Sequence, residues 1–275
     1  MIKYIKNRLK LPWVCFLMYS FVTYLSPVLS HSKEISLVGE EYCPHNCQPD
    51  SVKPGYLIEI AQLIFKQAGY TVSYNIMPWS RALHGARYGE FDAVVSVGRA
   101  EALGFVFPSS TMGYAKHSFY TLANSTWQYT GEESLHSVRL GAIQDYSYGT
   151  FYYRYIVPNM QQPERVQVIR GYNGLTRNLK KLASGRIDVL VEDQFVMDYY
   201  HFDENMGLQL RLAGVADEED LYIAFSPANS ESQHYAMLLQ QGYERLQATG
   251  QLKKILDKYF PQAKEPQQLN HMHSL

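Results

Sequence analysis

The chain has 275 residues, 46% of them hydrophobic and 19% charged, with a formal net charge of −1. That is enough apolar material for one large domain or two small ones, and it excludes a highly charged disordered chain and a strongly basic nucleic-acid binder. The 23 tyrosines stand out; a flat apolar face carrying a hydroxyl suits a wet, selective binding surface as well as a core.

Residues 1–30 read as an export signal. Lys3, Lys6, Arg8 and Lys10 precede an apolar run over 11–25, and Val28-Leu29-Ser30 ends in a small residue suited to cleavage before His31. A retained anchor is the alternative, since Pro12 and Pro27 do not exclude it, but the run is short for a membrane span, which favours cleavage. Cleavage removes four bases and no acid from a chain with 25 basic and 26 acidic side chains, leaving a net charge of about −5. Nucleic acid or anionic lipid is then not the main partner. Export also puts Cys43 and Cys47, in the run CPHNC, into an oxidising compartment, as a small-loop disulfide or as two free thiols. Together with His45 they lack a fourth ligand nearby in sequence, so no metal site is expected. Zinc spacing, a phosphate loop and a Gly-x-Ser-x-Gly elbow are all missing from the sequence, and no cofactor or catalytic residue is expected.

In chain order, 35–39 reads as a strand and 40–55 as a long polar loop. A helix over 56–68 follows, with Leu57, Ile60, Ala61, Ile64 and Phe65 at helical spacing and Gly69 as its stop. Residues 71–77 alternate like a strand. Over 78–109 a helix capped by Ser80 runs to Gly89, a left-handed stop, and then to a short apolar strand from Phe91 to Val95. The polar exit from Ser96 to Glu101 lies where ligands sit in open α/β sheets. This β-α-β-α-β order predicts a mostly parallel sheet with helices outside.

Residues 118–122 read as an extended crossing into a second lobe, which repeats the plan. A strand over 138–143 leads into the turn Gln144-Asp145-Tyr146-Ser147-Tyr148-Gly149, a helix to about 156 and a strand over 166–170. Residues 173–200 then copy the earlier unit. Gly89-Glu90-Phe91-Asp92-Ala93-Val94-Val95-Ser96 aligns with Gly185-Arg186-Ile187-Asp188-Val189-Leu190-Val191-Glu192. A strand over 208–213, a return crossing over 221–225, and amphipathic helices over 231–248 and 251–259 complete the chain. The expected architecture is α/β, two lobes, each a mostly parallel sheet flanked by helices. The discontinuous first lobe is 31–121 with 222–262, the second is 122–221, and 263–275 is a disordered tail.

The order of these motifs resembles the periplasmic solute-binding proteins of family 3, the polar amino acid group with the type II clamshell fold. The resemblance covers roughly 35–260. It is carried by Gly55-Tyr56, the PW-SRAL helix, Gly89 with Asp92-Ala93, and Phe107-Pro108-Ser109. Leu140-Gly141-Ala142-Ile143-Gln144, Gly185-Arg186-Ile187-Asp188 with Asp193, and the ending ERLQATGQLKKILDKYF complete it. It implies a periplasmic monomer that captures a small polar solute, amino acid-like, between its lobes and passes it to an ABC permease in the inner membrane. It implies a binder rather than an enzyme, although relatives of the same fold include sensors and dehydratases. For a dehydratase, Glu101, Glu192 and Asp193 are the available carboxylates.

The resemblance also implies a site. A ligand carboxylate calls for a bidentate arginine after the first-lobe strand. Counting back from Phe107 reaches Glu101; Arg99 stands two residues earlier, and Arg81 is the alternative cation. Tyr146, Ser147 and the backbone of that turn are expected to hold an anionic group at a helix start. Asp193 matches the acid for an α-ammonium group, with a helix N-cap as the other reading. Tyr42 falls where an aromatic ring stacks on the ligand, Trp79 lies at the cleft-facing start of a helix, and Ser96 opens the polar exit. Asp92 and Asp188 are expected to tie helix–strand turns.

Overall fold

A computed structural model describes residues 33–144, 146–171, 173–201 and 207–260. The expected export signal, Asp145 and the tail 263–275 lie outside the described residues. Three short strands make the first half of the sheet. Strand β1 (Glu34–Gly39) pairs in parallel with β2 (Thr71–Ile76) on one side and β3 (Ala93–Val97) on the other. Helix α1 (Tyr56–Gln67) buries Leu57, Ile60, Ala61, Ile64 and Phe65 on one face of this sheet, and α2 (Trp79–Arg87) buries Ala82 and Ala86 on the other. Helix α2 begins one residue before Ser80, so the expected cap is corrected. Pro78 precedes the helix, and its fixed φ leads the chain into the first turn; Pro78 itself offers no side-chain cap, but the Glu40 carboxylate accepts from Trp79 N at 3.0 Å.

The second half repeats this plan. Strand β4 (Gly113–Leu122) leads into it, and β5 (Leu140–Ile143) pairs in parallel with β6 (Val166–Ile169) and β7 (Val189–Asp193). Between β5 and β6 a π-helical turn (Tyr152–Ile156) runs into α3 (Val157–Asn159), and α4 (Gly174–Ala183) buries Leu175, Leu179 and Leu182. The repeated aspartates do the same work in both halves. The backbone N–H of Asp92 donates to Ser36 O while its carboxylate accepts from Ser36 N at 2.7 Å. Likewise Asp188 N donates to Arg139 O, and its carboxylate accepts from Arg139 N at 2.8 Å. Each ties the turn before its strand to the start of the half's first strand.

After α5 (Gln194–His201) comes the 16-residue strand β8 (Leu210–Phe225), which pairs antiparallel with both β3 and β4. The sheet order is β2-β1-β3-β8-β4-β7-β5-β6, a mixed α/β clamshell of two halves. Two separate strands over 208–213 and 221–225 were expected here. The acidic run between them is instead part of one strand, because its charges find partners: Lys116 Nζ lies 3.2 Å from Glu218, and Thr150 and Phe151 N donate to Asp217.

Helices α6 (Ser232–Ala248) and α7 (Gln251–Tyr259) return to the first half, where Leu239, Tyr243 and Leu256 join the core beside α1. Gly242 of α6 sits so close to α1 that an added β-carbon would overlap Ile64, whose Cγ1 would be 2.7 Å away. Overpacking of a branched core residue costs about 1–3 kcal/mol. Gly242→Ala is therefore expected to lower the urea midpoint, with the slope unchanged, by the equivalent of about 2 kcal/mol.

Candidate functional site

A cleft of about 410 Å³, including its part open to solvent, lies between the two halves. Its first wall comes from Glu40 and Tyr42 just after β1, Trp79 at the head of α2, Val95 and Ser96 of β3, and Glu101 in the following loop. Facing them are His117 of β4, Glu219 and Leu221 of β8, and Tyr146 with Ser147 after β5. A second space of about 570 Å³ shares Trp79, Glu101, Tyr146 and Ser147 and extends outward past Leu83 to Tyr152 and Tyr153. The inner chamber is rich in carboxylates; the outer one carries four aromatic rings, Trp79, Tyr146, Tyr152 and Tyr153.

The long loop after β1 is anchored from several sides. Cys43 and Cys47 are joined by a disulfide with their Cα atoms 4.8 Å apart. Asn46 Nδ2 donates to Tyr74 Oη at 2.8 Å, and Asn46 Oδ1 accepts from Ser96 Oγ. Ser96 has φ 61° at the point where the β3–β8 register slips. A left-handed serine costs on the order of 1–3 kcal/mol and persists where its surroundings enforce it; here the slip turns its hydroxyl out of the ladder toward the loop. His45 is fully buried, its Nε2 donating to Asp193 Oδ2 at 2.6 Å and its Nδ1 paired with the Tyr56 hydroxyl at 2.8 Å. The His45 ring stacks beneath Tyr42 with centroids 4.7 Å apart. One loop of the first half thus supports a cleft aromatic and reaches a strand of the second.

The cleft's charges are arranged in short contacts. Glu219 Oε1 accepts from His117 Nε2 at 2.9 Å and from Ser147 Oγ at 2.5 Å. Glu101 accepts from Trp79 Nε1 at 3.2 Å and from Gly98 N at 3.1 Å. Burial, with the Glu219 charge added, pushes Glu101 up to about 7. Behind the chamber, burial and then the adjacent Asp193 charge push Glu192 up to about 8. Burial opposes protonation of His117, but its hydrogen bond to Glu219 and that carboxylate's charge outweigh it and raise its pKa. Burial, then the charges of Asp193 and Glu192, hold the Tyr42 hydroxyl neutral. No group of three or more His, Cys, Asp or Glu among the described residues could hold a metal ion.

The family model of the bacterial extracellular solute-binding proteins, family 3, matches residues 36–262. The chain belongs to that family. Solved structures of the same fold include a histidine kinase sensor domain with similarity to periplasmic binding proteins. It is 17% identical, with 83% of this chain and 96% of that one covered and a TM-score of 0.68. An ancestral arginine-binding protein bound to arginine is 21% identical, over 82% and 98% of the chains, at 0.63. An ancestral amino acid-binding protein, a precursor of cyclohexadienyl dehydratase, is 16% identical, over 82% and 95%, at 0.62. No curated protein matches the chain.

Within this family member, the structure brings Tyr42, Trp79, Ser96, Tyr146 and Ser147 together around the cleft. The other three expected site residues are elsewhere. Arg99 is held against Phe107 and Tyr222, 4.8 and 4.4 Å from their ring centroids, and donates to Pro108 O at 3.0 Å. Arg81 is exposed on α2 and does not line the cleft. Asp193 is wholly buried behind the chamber, where Lys116 N and His45 occupy its oxygens, and it accepts from Phe195 N at the start of α5. The residues missed by sequence reasoning are Glu40, His117 and Glu219. Glu40 is the first residue after a strand, whereas His117 and Glu219 lie within the polar runs Lys116-His117-Ser118 and Asp217-Glu218-Glu219-Asp220, where no local pattern marks them.

Proposed function

We propose that the protein is an extracytoplasmic solute-binding protein that captures one small polar solute in this cleft and delivers it to an ABC-type permease. The observation that carries the reading is the cleft itself. Its two walls come from different halves of a solute-binding fold, and each offers an aromatic ring, Trp79 on one side and Tyr146 on the other, beside carboxylates. Such a site gains affinity when the halves close, since closure removes water from the solute and rejects one that leaves buried polar groups unpaired. In this reading residues 1–30 are cleaved on export to the periplasm. The halves correspond to 31–121 with 222–262 and to 122–221, and the mature chain acts as a monomer.

A thermal-shift screen of amino acids, amines, sugars and organic acids tests it. A solute at 100 times its dissociation constant stabilises the fold by about 2.7 kcal/mol, a shift of several degrees. A panel with no shift from any member removes the capture reading. A second reading rests on Glu101, a carboxyl held near neutrality in the cleft and thus able to give up a proton at physiological pH. Product formation from prephenate or arogenate would select that dehydratase reading over pure binding.

A further inference from the structure

Among the described residues the inner chamber is lined by three carboxylates, Glu40, Glu101 and Glu219, and by no lysine or arginine. The nearest arginine in sequence, Arg99, is committed to two aromatic rings and a backbone carbonyl outside the lining. Ser147, the hydroxyl at the turn expected to receive an anion, donates its proton to Glu219. A carboxylate of the protein therefore already stands where a ligand carboxylate would be received. Among the described residues His117 is the one lining group able to carry positive charge, and Glu219 faces it at 2.9 Å. Even with His117 charged and Glu101 protonated, the carboxylates Glu40 and Glu219 outnumber that cation among the described lining groups.

Two further features favour a ligand that brings positive charge and N–H groups. Trp79, Tyr42 and Tyr146 present aromatic rings to the same space, and ring faces attract ammonium groups most strongly where water is excluded. His117 is 1% exposed and its Nδ1 has no hydrogen-bond partner among the described residues. When the ring is neutral and its Nε2–H is given to Glu219, Nδ1 is a buried acceptor on a residue that lines the chamber, another polar position for a ligand N–H to satisfy. A ligand carboxylate in the same place would face Glu40 and Glu219, with Glu101 adding a third like charge whenever it is ionised, a repulsion in a partly desolvated cleft that rejects rather than binds.

We infer that the solute is an organic amine lacking a carboxylate, its ammonium group held among Glu40, Glu101 and Glu219 and its alkyl or guanidino part extending between Trp79 and Tyr146. This deepens the capture reading and rests on it. Calorimetric titration of the mature protein with matched pairs tests it: cadaverine against lysine, and agmatine against arginine, each differing only in the α-carboxylate. The decarboxylated member of at least one pair is expected to bind about 30-fold or more tightly than its amino acid. Equal or tighter binding of the amino acids overturns the inference. Glu101→Gln and Glu219→Gln keep side-chain size and remove charge; each is expected to weaken amine binding about tenfold or more. Unchanged amine affinity in both variants, with the fold intact by circular dichroism, also overturns it. Binding of only a sugar, an organic acid or a neutral amino acid sinks this inference and leaves solute capture standing. Binding of no compound at all sinks both.

Discussion

Replacing His45 with alanine is expected to destabilise the protein by about 3 kcal/mol, a fall in melting temperature on the order of 10 °C. The imidazole and the Asp193 carboxylate are both fully buried and 2.6 Å apart. Truncating one of them leaves the other without its partner in a place water does not reach, and that desolvation penalty dominates the loss. Tyr56 and Tyr42 lose a contact in the same step. Asp193→Ala is expected to cost a similar amount. Because the two residues share one interaction, the double variant should cost clearly less than the sum. Denaturant unfolding of the four proteins gives the coupling directly. Single-variant losses below 1 kcal/mol would show that the bridge between the loop and β7 contributes little. Any loss of solute binding in Asp193→Ala would then have to be separated from this structural effect by titrating well below the variant's melting temperature.

Stability is expected to fall as pH rises from about 5 to 8, opposite to the behaviour of a protein held by ionised surface carboxylates. Glu192 has an unfolded value of 4.5 and a folded value of about 8. Between those values the folded state keeps a proton that the unfolded chain releases. Its contribution is therefore greatest at the acid end and is lost at about 1.4 kcal/mol per pH unit as pH rises through the window. Glu101, with a folded value of about 7, acts in the same direction up to that pH, though less because it is only partly buried. His117, raised by Glu219, adds to the same slope above its unfolded value of 6.5. Urea midpoints at pH 5, 6, 7 and 8 test this, and Glu192→Gln should flatten most of the slope. A midpoint that rises toward pH 8 in the wild type would show that Glu192 is ionised in the fold.

Much of this fold was legible because its signals are local. The two Gly-x-apolar-Asp units announced themselves by spacing, and the structure gives Asp92 and Asp188 matching hydrogen bonds to Ser36 and Arg139. Helix α7 was readable to the residue because its apolar positions repeat strictly and Gly250 precedes it. The errors came where a long-range partner decides. The acidic run over 217–220 falls between two expected strands and joins them only when β4 is laid beside it and supplies Lys116 and His117. Asp193 reads as a ligand acid because nothing near it in sequence announces His45, 148 residues away. The five cleft residues that were legible sit at strand ends or helix starts, positions that chain order alone exposes. His117 and Glu219 lie in mid-strand among polar neighbours, in runs whose sequence alone reads as solvent-facing.

Strands β4 and β8 remain paired over ten positions, from Gly113 beside Leu221 to Leu122 beside Leu210. The two halves of the molecule are therefore joined by a ladder rather than by two loose tethers. A ladder of this kind stores deformation as torsion spread over all its rungs, and no single residue has to change its backbone basin for the halves to turn. The register slips at His117/Ser118 and Phe119/Tyr120 divide it into stiffer lengths with softer joints. The joint nearer the chamber adjoins His117 itself, so one of the side chains that lines the cleft rides on a softer part of the ladder that joins the halves.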